Sequence, residues 1–203
     1  MSHPKRIGLY GGTFSPPHVG HIHAAKTFLQ QGEIDRLIVM PTYHPPHKVN
    51  KDRTTAEDRL AMCRLAFDFS DKITVSDLEI RREGKSYTSD TLRALYRDGE
   101  RIVLLCGTDM FLTLDGWHEP EVIFALAEIV CMRRESEETA DEELLHKAKI
   151  YRERFGATIR FLQADAIELS SSLIRERIAE GESTNGMLTD AVRAYLDEKE
   201  LYR

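Results

Sequence analysis

Residues 6–21 read RIGLYGGTFSPPHVGH. The apolar run Arg6–Tyr10 ends at Gly11-Gly12, and such a run followed by glycines is typical of a buried strand that enters a turn. Pro16-Pro17 stop regular structure, and from His18 to about Gln31 the apolar residues recur at helical spacing. This stretch therefore predicts a strand, a tight turn and a helix.

The rest of the chain repeats the alternation of strand and helix. Strands are predicted at 37–40, 73–80, 102–106, 129–132 and 158–162, and helices at 55–69, 89–96, 109–114, 120–127, 144–155, 173–179 and 191–199. Continuously apolar strands separated by helices indicate a parallel sheet that is covered on both faces. We therefore expect an α/β fold: a Rossmann-like, doubly wound, mainly parallel sheet with a small C-terminal helical extension. A single domain over residues 1–203 is expected, with the helical part at about 170–203.

Composition narrows the class of protein. The 203 residues are 41% hydrophobic and 31% charged, which is typical of a globular protein. No apolar run approaches the roughly 18 residues of a membrane-spanning helix, and the first residues lack the apolar stretch of a signal peptide. The three cysteines lie far apart in apolar surroundings, which favours reduced thiols and a cytoplasmic protein.

Charge is unevenly distributed. The formal net charge of −6 argues against a broad nucleic-acid surface. Residues 1–50 nevertheless carry a net charge of +3, together with six of the eight histidines and six of the seven prolines. This quarter of the chain is therefore where chemistry is expected.

The turn after the first strand has the properties of a phosphate site. Glycines allow a ligand to approach the backbone closely, and the following helix N-terminus offers free N–H groups and a positive dipole end. His18 and His21 are three residues apart in the first turn, so both point the same way, and Gly20 leaves no side chain between them. Two alternatives stay open: a plain turn, and a zinc site from His18 and His21 with His23 or His44.

The motif HVGH (residues 18–21) resembles the HxGH signature of the nucleotidylyltransferase superfamily, which is related to the class I aminoacyl-tRNA synthetases. The full string GGTFSPPHVGH is similar to the bacterial nicotinate-nucleotide adenylyltransferase family. Four further elements resemble that family in order and spacing: PPHK at 45–48, SYTSDT at 86–91, GTD at 107–109 followed by Trp117, and LSSSLIR at 169–175. The resemblance covers nearly the whole chain.

The resemblance implies transfer of AMP from ATP to nicotinic acid mononucleotide, which gives deamido-NAD and pyrophosphate without a covalent enzyme intermediate. It implies Mg²⁺ bound through the ATP phosphates rather than by protein ligands, and small-molecule partners rather than nucleic acid or a membrane. A homodimer is compatible with it. The implied catalytic residues are His18, His21, Lys48 and Arg175. The implied ATP-binding residues are Gly11, Gly12, Thr13, Phe14, Gly20, Gly107, Asp109, Ser171 and Ser172, so that the C-terminal helical part completes the ATP site. The implied mononucleotide-binding residues are His47, Tyr87, Thr88 and Trp117.

Several of these residues also have plain structural interpretations. Asp109 can cap the next helix or bind a ribose hydroxyl, Trp117 can pack in the core or stack on the pyridine ring, and the serines at 170–172 can be helix caps. The chain departs from the family pattern at Ser15, usually Asp, at Ser172, usually Thr, and at His118, often Tyr. The acidic stretch 135–143 has no assigned function.

Three other functions remain open at this point. The nearest is a nicotinamide mononucleotide adenylyltransferase of the same fold. Phosphopantetheine adenylyltransferase is a more distant relative, whose members usually have Thr at the first HxGH position. The third is a non-catalytic nucleotide-binding module, against which the intact His18, Gly20, His21, Lys48 and Arg175 argue.

Overall fold

The computed structural model describes residues 4–45, 54–134, 140–165 and 167–203. Strands and helices alternate along them, as the apolar periodicity predicts. The strands are β1 (Lys5–Gly12), β2 (Arg36–Pro41), β3 (Ile73–Val75), β4 (Glu100–Gly107), β5 (Ala127–Arg134) and β6 (Ile159–Ala164). The helices are α1 (Val19–Gln31), α2 (Ala56–Ala66), α3 (Leu78–Arg82), α4 (Thr88–Leu95), α5 (Thr108–Thr113), α6 (Pro120–Leu126), α7 (Ala140–Phe155), α8 (Ser171–Ala179) and α9 (Asp190–Glu198).

The strands form one six-stranded sheet in the order β3-β2-β1-β4-β5-β6. Strand β4 pairs in parallel with β1, where Ile7 lies opposite Ile102, and with β5, where Leu104 lies opposite Ile129. Residues Ile102–Cys106 are all buried, because helices flank the sheet and both sides of a central strand are covered. This arrangement confirms the predicted Rossmann-like α/β fold.

One predicted strand is wrong in its second half. Apolar and polar residues alternate from Ile73 to Ser76 but not through Asp77, and β3 ends at Val75 before α3 begins at Leu78. The Ser76 hydroxyl accepts a hydrogen bond from the Leu78 N–H at 3.2 Å, and such local bonds to serine compete with a sheet. The apolar character of Ile80 is explained by its packing against Ala56 and Leu60 of α2.

The described chain divides into two compact units. The first unit is Met1–Tyr10, Thr27–Leu37 and Tyr87–Ala166, and the second is Gly11–Lys26, Ile38–Ser86 and Ile167–Arg203. The expectation of a single domain stays a prediction. No helix in the described ranges is long and apolar enough to cross a membrane.

The two C-terminal helices belong to the second unit, and each begins at a side-chain cap. The Ser170 hydroxyl accepts a hydrogen bond from the Leu173 N–H at 3.1 Å at the start of α8. The Thr189 hydroxyl accepts one from the Val192 N–H at 3.3 Å at the start of α9. Such caps satisfy backbone donors that have no partner inside the helix.

Candidate active site

The turn between β1 and α1 is built around the ring of Phe14. This residue is only 2% exposed and has a left-handed backbone conformation (φ 49°), which is uncommon for a bulky side chain. A Cβ atom at Gly12 would lie 2.9 Å from Cζ of that ring. Glycine is therefore required at position 12 by packing within the protein. The predicted contact of Phe14 with ATP stays a prediction.

His18 and His21 lie against each other at the start of α1. Their ring centroids are 3.7 Å apart with the planes tilted by 33°, and the edge contact between Phe14 and His21 has a centroid distance of 5.0 Å. His18 is buried, with 5% of its surface exposed, and His21 is half-buried. The predicted pairing of the two imidazoles is thus present, with the Phe14 ring supporting one of them.

The hydrogen bond within this pair determines which nitrogen of His21 is available. The backbone N–H of His18 donates to Nδ1 of His21 at 3.1 Å, so Nδ1 is the unprotonated nitrogen and the proton lies on Nε2. His21 is therefore a neutral imidazole with Nε2–H as its donor.

Gly20 makes room for the His18 ring. A Cβ atom at position 20 would lie 3.0 Å from both Cε1 and Nδ1 of His18, which is tighter than ordinary van der Waals contact. The glycine of the HxGH motif is thus explained by the position of the first histidine.

The serines and the arginine of helix α8 hold the carbonyl groups of this turn. The Ser171 hydroxyl donates to the carbonyl oxygen of Pro16 at 2.9 Å. Arg175 donates from Nη1 to the carbonyl oxygen of Ser15 at 2.8 Å and from Nη2 to the Ser172 hydroxyl at 3.3 Å. Ser170, rather than Ser171 or Ser172, caps α8. The second unit thus brings the HxGH turn together with Ser171, Ser172 and Arg175, and their contacts with a triphosphate stay predictions.

The chain that leads into the predicted PPHK loop is fixed at Tyr43 and His44. The Tyr43 N–H donates to the Ser86 hydroxyl at 2.8 Å, and the Ser86 N–H donates to the carbonyl oxygen of His44 at 2.9 Å. His47 and Lys48, for which roles in mononucleotide and phosphate binding are predicted, lie outside the described residues.

Arg59 of helix α2 was not among the sequence-predicted site residues. Arg59 is only 1% exposed, and its guanidinium group donates from Nη1 to the carbonyl oxygen of Thr13 at 2.9 Å and from Nη2 to that of Tyr43 at 3.0 Å. The sequence does carry a signal for it, because Arg59 falls on the same helical stripe as the apolar residues Ala56, Cys63 and Ala66.

The first unit holds the predicted pyridine-binding residues. Helix α4 begins at Thr88 with Tyr87 in the cap position, and no side-chain hydrogen bond from Tyr87 caps it. A helix N-terminus of this kind presents backbone N–H groups that suit a carboxylate. The Tyr87 ring stacks on His118 at a centroid distance of 4.1 Å and a tilt of 31°. The histidine at 118, where the family often has Tyr, thus keeps an aromatic contact.

Gly107 and Asp109 lie where β4 ends and α5 begins. Gly107 is the cap residue of α5, and a Cβ atom placed on it would meet nothing within 4 Å. Asp109 is exposed in the first turn of the helix, so it is not the cap residue, and its predicted ribose contact remains a prediction.

Trp117 is half-buried, and its indole Nε1–H donates to the Thr113 hydroxyl at 3.3 Å. The turn before it is anchored on α7 through Asp115, which accepts hydrogen bonds from Lys147 at 3.0 Å and from the Tyr151 hydroxyl at 3.1 Å. Burial acts to raise the pKa of Asp115, but these hydrogen bonds outweigh it and the pKa is lowered. Asp115 is therefore a charged anchor for the segment that carries Trp117.

Within the described ranges, no group of three His, Cys, Asp or Glu side chains comes together that could hold a metal ion. The alternative zinc site from His18, His21 and His23 or His44 is therefore not formed by those residues.

Comparison with known proteins identifies the family. The Cytidylyltransferase-like family model matches residues 9–177. A protein of Desulfitobacterium hafniense named probable nicotinate-nucleotide adenylyltransferase is 34% identical over 202 residues, with 98% of this chain and 97% of that protein covered. A protein of Pseudomonas syringae pv. tomato with the same name is 35% identical over 211 residues, with 98% and 95% covered. The solved structure of Plasmodium falciparum nicotinic acid mononucleotide adenylyltransferase complexed with APC shares the fold, with a TM-score of 0.75 at 20% identity over 98% of this chain and 97% of that one. The chain belongs to the nicotinate-nucleotide adenylyltransferase family.

Proposed function

We propose that this chain transfers AMP from ATP to nicotinic acid mononucleotide, releasing pyrophosphate and forming deamido-NAD. The observation that carries the proposal is the stacked pair of His18 and His21 at the N-terminus of α1, with Nε2–H of His21 as a neutral donor. Family membership supplies the reaction, and this pair supplies hydrogen-bond donors of the kind that it needs.

The reaction requires no nucleophile from the protein. A 5′-phosphate oxygen of the mononucleotide attacks the α-phosphorus of ATP, and the bond from that phosphorus to the bridging oxygen of pyrophosphate breaks. Catalysis of such an in-line displacement is positioning together with stabilisation of developing negative charge. We assign the stabilisation of negative charge to His18 and His21, which would donate hydrogen bonds to the α- and β-phosphate oxygens.

The remaining phosphate contacts are assigned to cationic and hydroxyl groups. Arg175 and Lys48 would hold the outer phosphates, with Ser171 and Ser172 beside the arginine. Arg175 already donates to the carbonyl oxygen of Ser15, so it would contact phosphate with donors that this bond does not use. The backbone at Gly11–Phe14 and at Gly20 would line the nucleotide, as would Gly107 and Asp109.

ATP would bind as its Mg²⁺ complex, in which the cation offsets part of the triphosphate charge. The ion would be carried by phosphate oxygens and water rather than by protein ligands. The steps assigned to His18, His21, Lys48 and Arg175 do not pass through it.

The substrate preference for the acid rests on the start of α4. Backbone N–H groups at Tyr87 and Thr88 would receive the nicotinate carboxylate, and an amide lacks the charge that a helix N-terminus favours. Trp117 would stack on the pyridine ring, with His47 completing the mononucleotide site. A cytoplasmic location is part of this proposal, and a homodimer stays a prediction.

A paired assay tests the proposal. Pyrophosphate release is measured with ATP and Mg²⁺ and with either nicotinic acid mononucleotide or nicotinamide mononucleotide. We expect a clearly higher kcat/KM for the acid. A higher value for the amide would instead make the chain a nicotinamide mononucleotide adenylyltransferase, and no release with either substrate would contradict the enzymatic assignment.

A further inference from the structure

Arg59 is a charged residue in a position that normally belongs to an apolar one. Helix α2 begins with a capping box, in which Thr55 and Asp58 exchange hydrogen bonds, and this start turns Arg59 inward with Met62 and Cys63. Arginine is rarely buried unless its donors are bonded, because removing the charge from water is costly. Burial lowers the pKa of the Arg59 guanidinium from its ordinary value, which reflects that cost.

The two bonds of Arg59 join segments that are distant in the sequence. Nη1 donates to the carbonyl oxygen of Thr13 in the turn that carries His18 and His21, and Nη2 donates to the carbonyl oxygen of Tyr43, which precedes the predicted PPHK loop. The Nε atom of Arg59 is buried without a hydrogen-bond partner, so its hydrogen bonds to these two segments are made by the two terminal nitrogens.

Only an arginine can make this connection from one side chain. The guanidinium group is a rigid planar fork, so its two terminal nitrogens hold their acceptors at a constant separation. A lysine ammonium is a single point on a flexible stem, and it can reach one carbonyl without setting the distance to the other.

One of the two segments that Arg59 joins is the turn that carries His18 and His21. Thr13 precedes Phe14, whose buried ring supports the imidazole of His21. Tyr43 is also held by the Ser86 hydroxyl, so this end of the connection is firmly anchored. A change at Arg59 would therefore reach His21 through Thr13 and Phe14.

We propose that Arg59 is a positioning residue for adenylyl transfer, which holds the HxGH turn against the segment at Tyr43 through the carbonyl oxygens of Thr13 and Tyr43. This inference rests on the proposed function. Arg59 itself touches no substrate in this proposal and acts through the backbone carbonyl groups of Thr13 and Tyr43.

The experiment compares Arg59→Met and Arg59→Lys with the wild-type protein and with Arg6→Met. Arg6 serves as a control because it is another arginine that donates to a backbone carbonyl: it is half-buried and donates to the carbonyl oxygen of Glu33 at 2.7 Å and to the Glu128 carboxylate at 2.8 Å. None of its partners belongs to the proposed phosphate site. For each protein we would measure Tm, KM for each substrate, kcat, and the rise in Tm that ATP produces.

We expect Arg59→Met to lose about 10²-fold in kcat/KM for ATP, since a small misplacement of catalytic groups has effects of that size. KM for the mononucleotide should change less. Arg59→Lys should regain much of the Tm but little of the kcat, because charge and volume return without the fork. Arg6→Met should lower Tm and keep the wild-type kcat/KM, measured well below its Tm.

Wild-type kcat/KM in the two Arg59 variants, at a temperature where they are folded, would overturn the inference and leave the proposed function intact. If Arg59→Met does not fold, Arg59→Lys decides the question alone. If the wild-type protein releases no pyrophosphate, the proposed function fails instead. In that case the rise in Tm on adding ATP still tests Arg59, because it reports ATP binding without turnover. An equal rise for the wild-type and Arg59→Lys proteins would contradict the positioning role of Arg59.

Discussion

Ser15 and Tyr202 are joined by a hydrogen bond of 2.9 Å between their hydroxyl oxygens, although 187 positions separate them in the chain. Ser15 is buried in the turn that precedes His18, and Tyr202 is the penultimate residue. The C-terminal residues thereby contact the same turn that Ser171 and Arg175 hold. The family that this chain resembles usually has Asp at position 15, and a carboxylate there would accept a hydrogen bond from the same phenol.

Substitutions at this pair should affect activity according to whether the hydrogen bond survives. Ser15→Asp should keep kcat, because a carboxylate can accept from the Tyr202 hydroxyl. Ser15→Ala and Tyr202→Phe should each lower the free energy of unfolding by about 1 kcal/mol, the usual contribution of one hydrogen bond, and should lower kcat as well. Urea unfolding and steady-state kinetics measure the two effects.

Tyr195→Phe is the matched control for Tyr202→Phe. The Tyr195 hydroxyl lies 2.9 Å from an Asp58 oxygen in the same unit and makes no hydrogen bond to Ser15, and burial raises the pKa of Tyr195 to about 12. Removing the Tyr195 hydroxyl should lower the free energy of unfolding without lowering kcat. If both phenylalanine variants lost kcat equally, the Ser15 contact would have no special connection to the site.

Substitutions at His21 should separate its two nitrogens. Asparagine can accept the hydrogen bond from the His18 N–H but has no donor where Nε2 lies. We therefore expect His21→Asn to stay folded and to lose about 10²- to 10³-fold in kcat, the usual effect of removing one donor to a transition state. His18→Ala should lose most of its turnover as well, while circular dichroism and Tm show an intact fold. Full turnover in either variant would contradict the roles assigned to the histidines.

Gly20→Ala should lower kcat because its Cβ would press on the His18 ring at 3.0 Å. Gly11→Ala is the control within the same motif, since a Cβ there meets no protein atom within 4 Å. Gly11→Ala should therefore keep the wild-type Tm. A rise in its KM for ATP would show that the added methyl group contacts the bound nucleotide. A Gly20→Ala protein with wild-type kcat would show that the His18 position does not matter for turnover.

Sequence periodicity predicted the sheet well because continuously apolar strands such as Ile102–Cys106 are specified by burial on both sides. It failed at Leu78–Arg82, a short helix within the predicted strand, before which the Ser76 hydroxyl accepts a hydrogen bond from the Leu78 N–H. Periodicity records which residues are buried, and it carries little information about a local hydrogen bond of this kind.

The candidate site shows the same limit. The histidines of HxGH are readable from spacing alone, since residues three apart on a helix share a face. Spacing indicates that Arg59 is buried, but it does not indicate the bonds of Arg59 to Thr13 or of Tyr202 to Ser15, because these partners become neighbours only when distant segments pack. Gly12 was predicted to contact ATP, yet the structure also gives it a role in admitting the Phe14 ring.

Acid should weaken the contact between α4 and the turn after Trp117. Two hydrogen bonds from Arg93 lower the pKa of Glu119 to about 2. Because the pKa of Glu119 is lower in the folded protein than in the unfolded chain, the charged carboxylate stabilises the fold at pH values above 4.5, its ordinary pKa. This stabilisation is lost as the pH falls toward 2. Glu119→Gln should thus have a lower Tm than wild type near neutral pH, and the difference should shrink in acid.

Salt provides a second measurement on the same pair. The pair of Arg93 and Glu119 is solvent-exposed, so added salt near neutral pH should also narrow the Tm difference between wild type and Glu119→Gln. Glu142→Gln, at an exposed position on α7, controls for the loss of one negative charge. A Tm difference that stayed constant with both pH and salt would contradict an electrostatic origin.

Trp117→Ala should raise KM for nicotinic acid mononucleotide by about tenfold, the effect expected from losing one aromatic stack, and should change KM for ATP much less. Trp117→Phe should restore most of the affinity because it keeps a flat ring. Thr113→Val removes only the partner of the indole N–H, so it should leave both KM values near those of wild type. Steady-state kinetics with each substrate varied in turn, together with Tm, distinguishes the possibilities. Equal rises in the two KM values, or a fall in Tm with both unchanged, would assign Trp117 to core packing rather than to the pyridine ring.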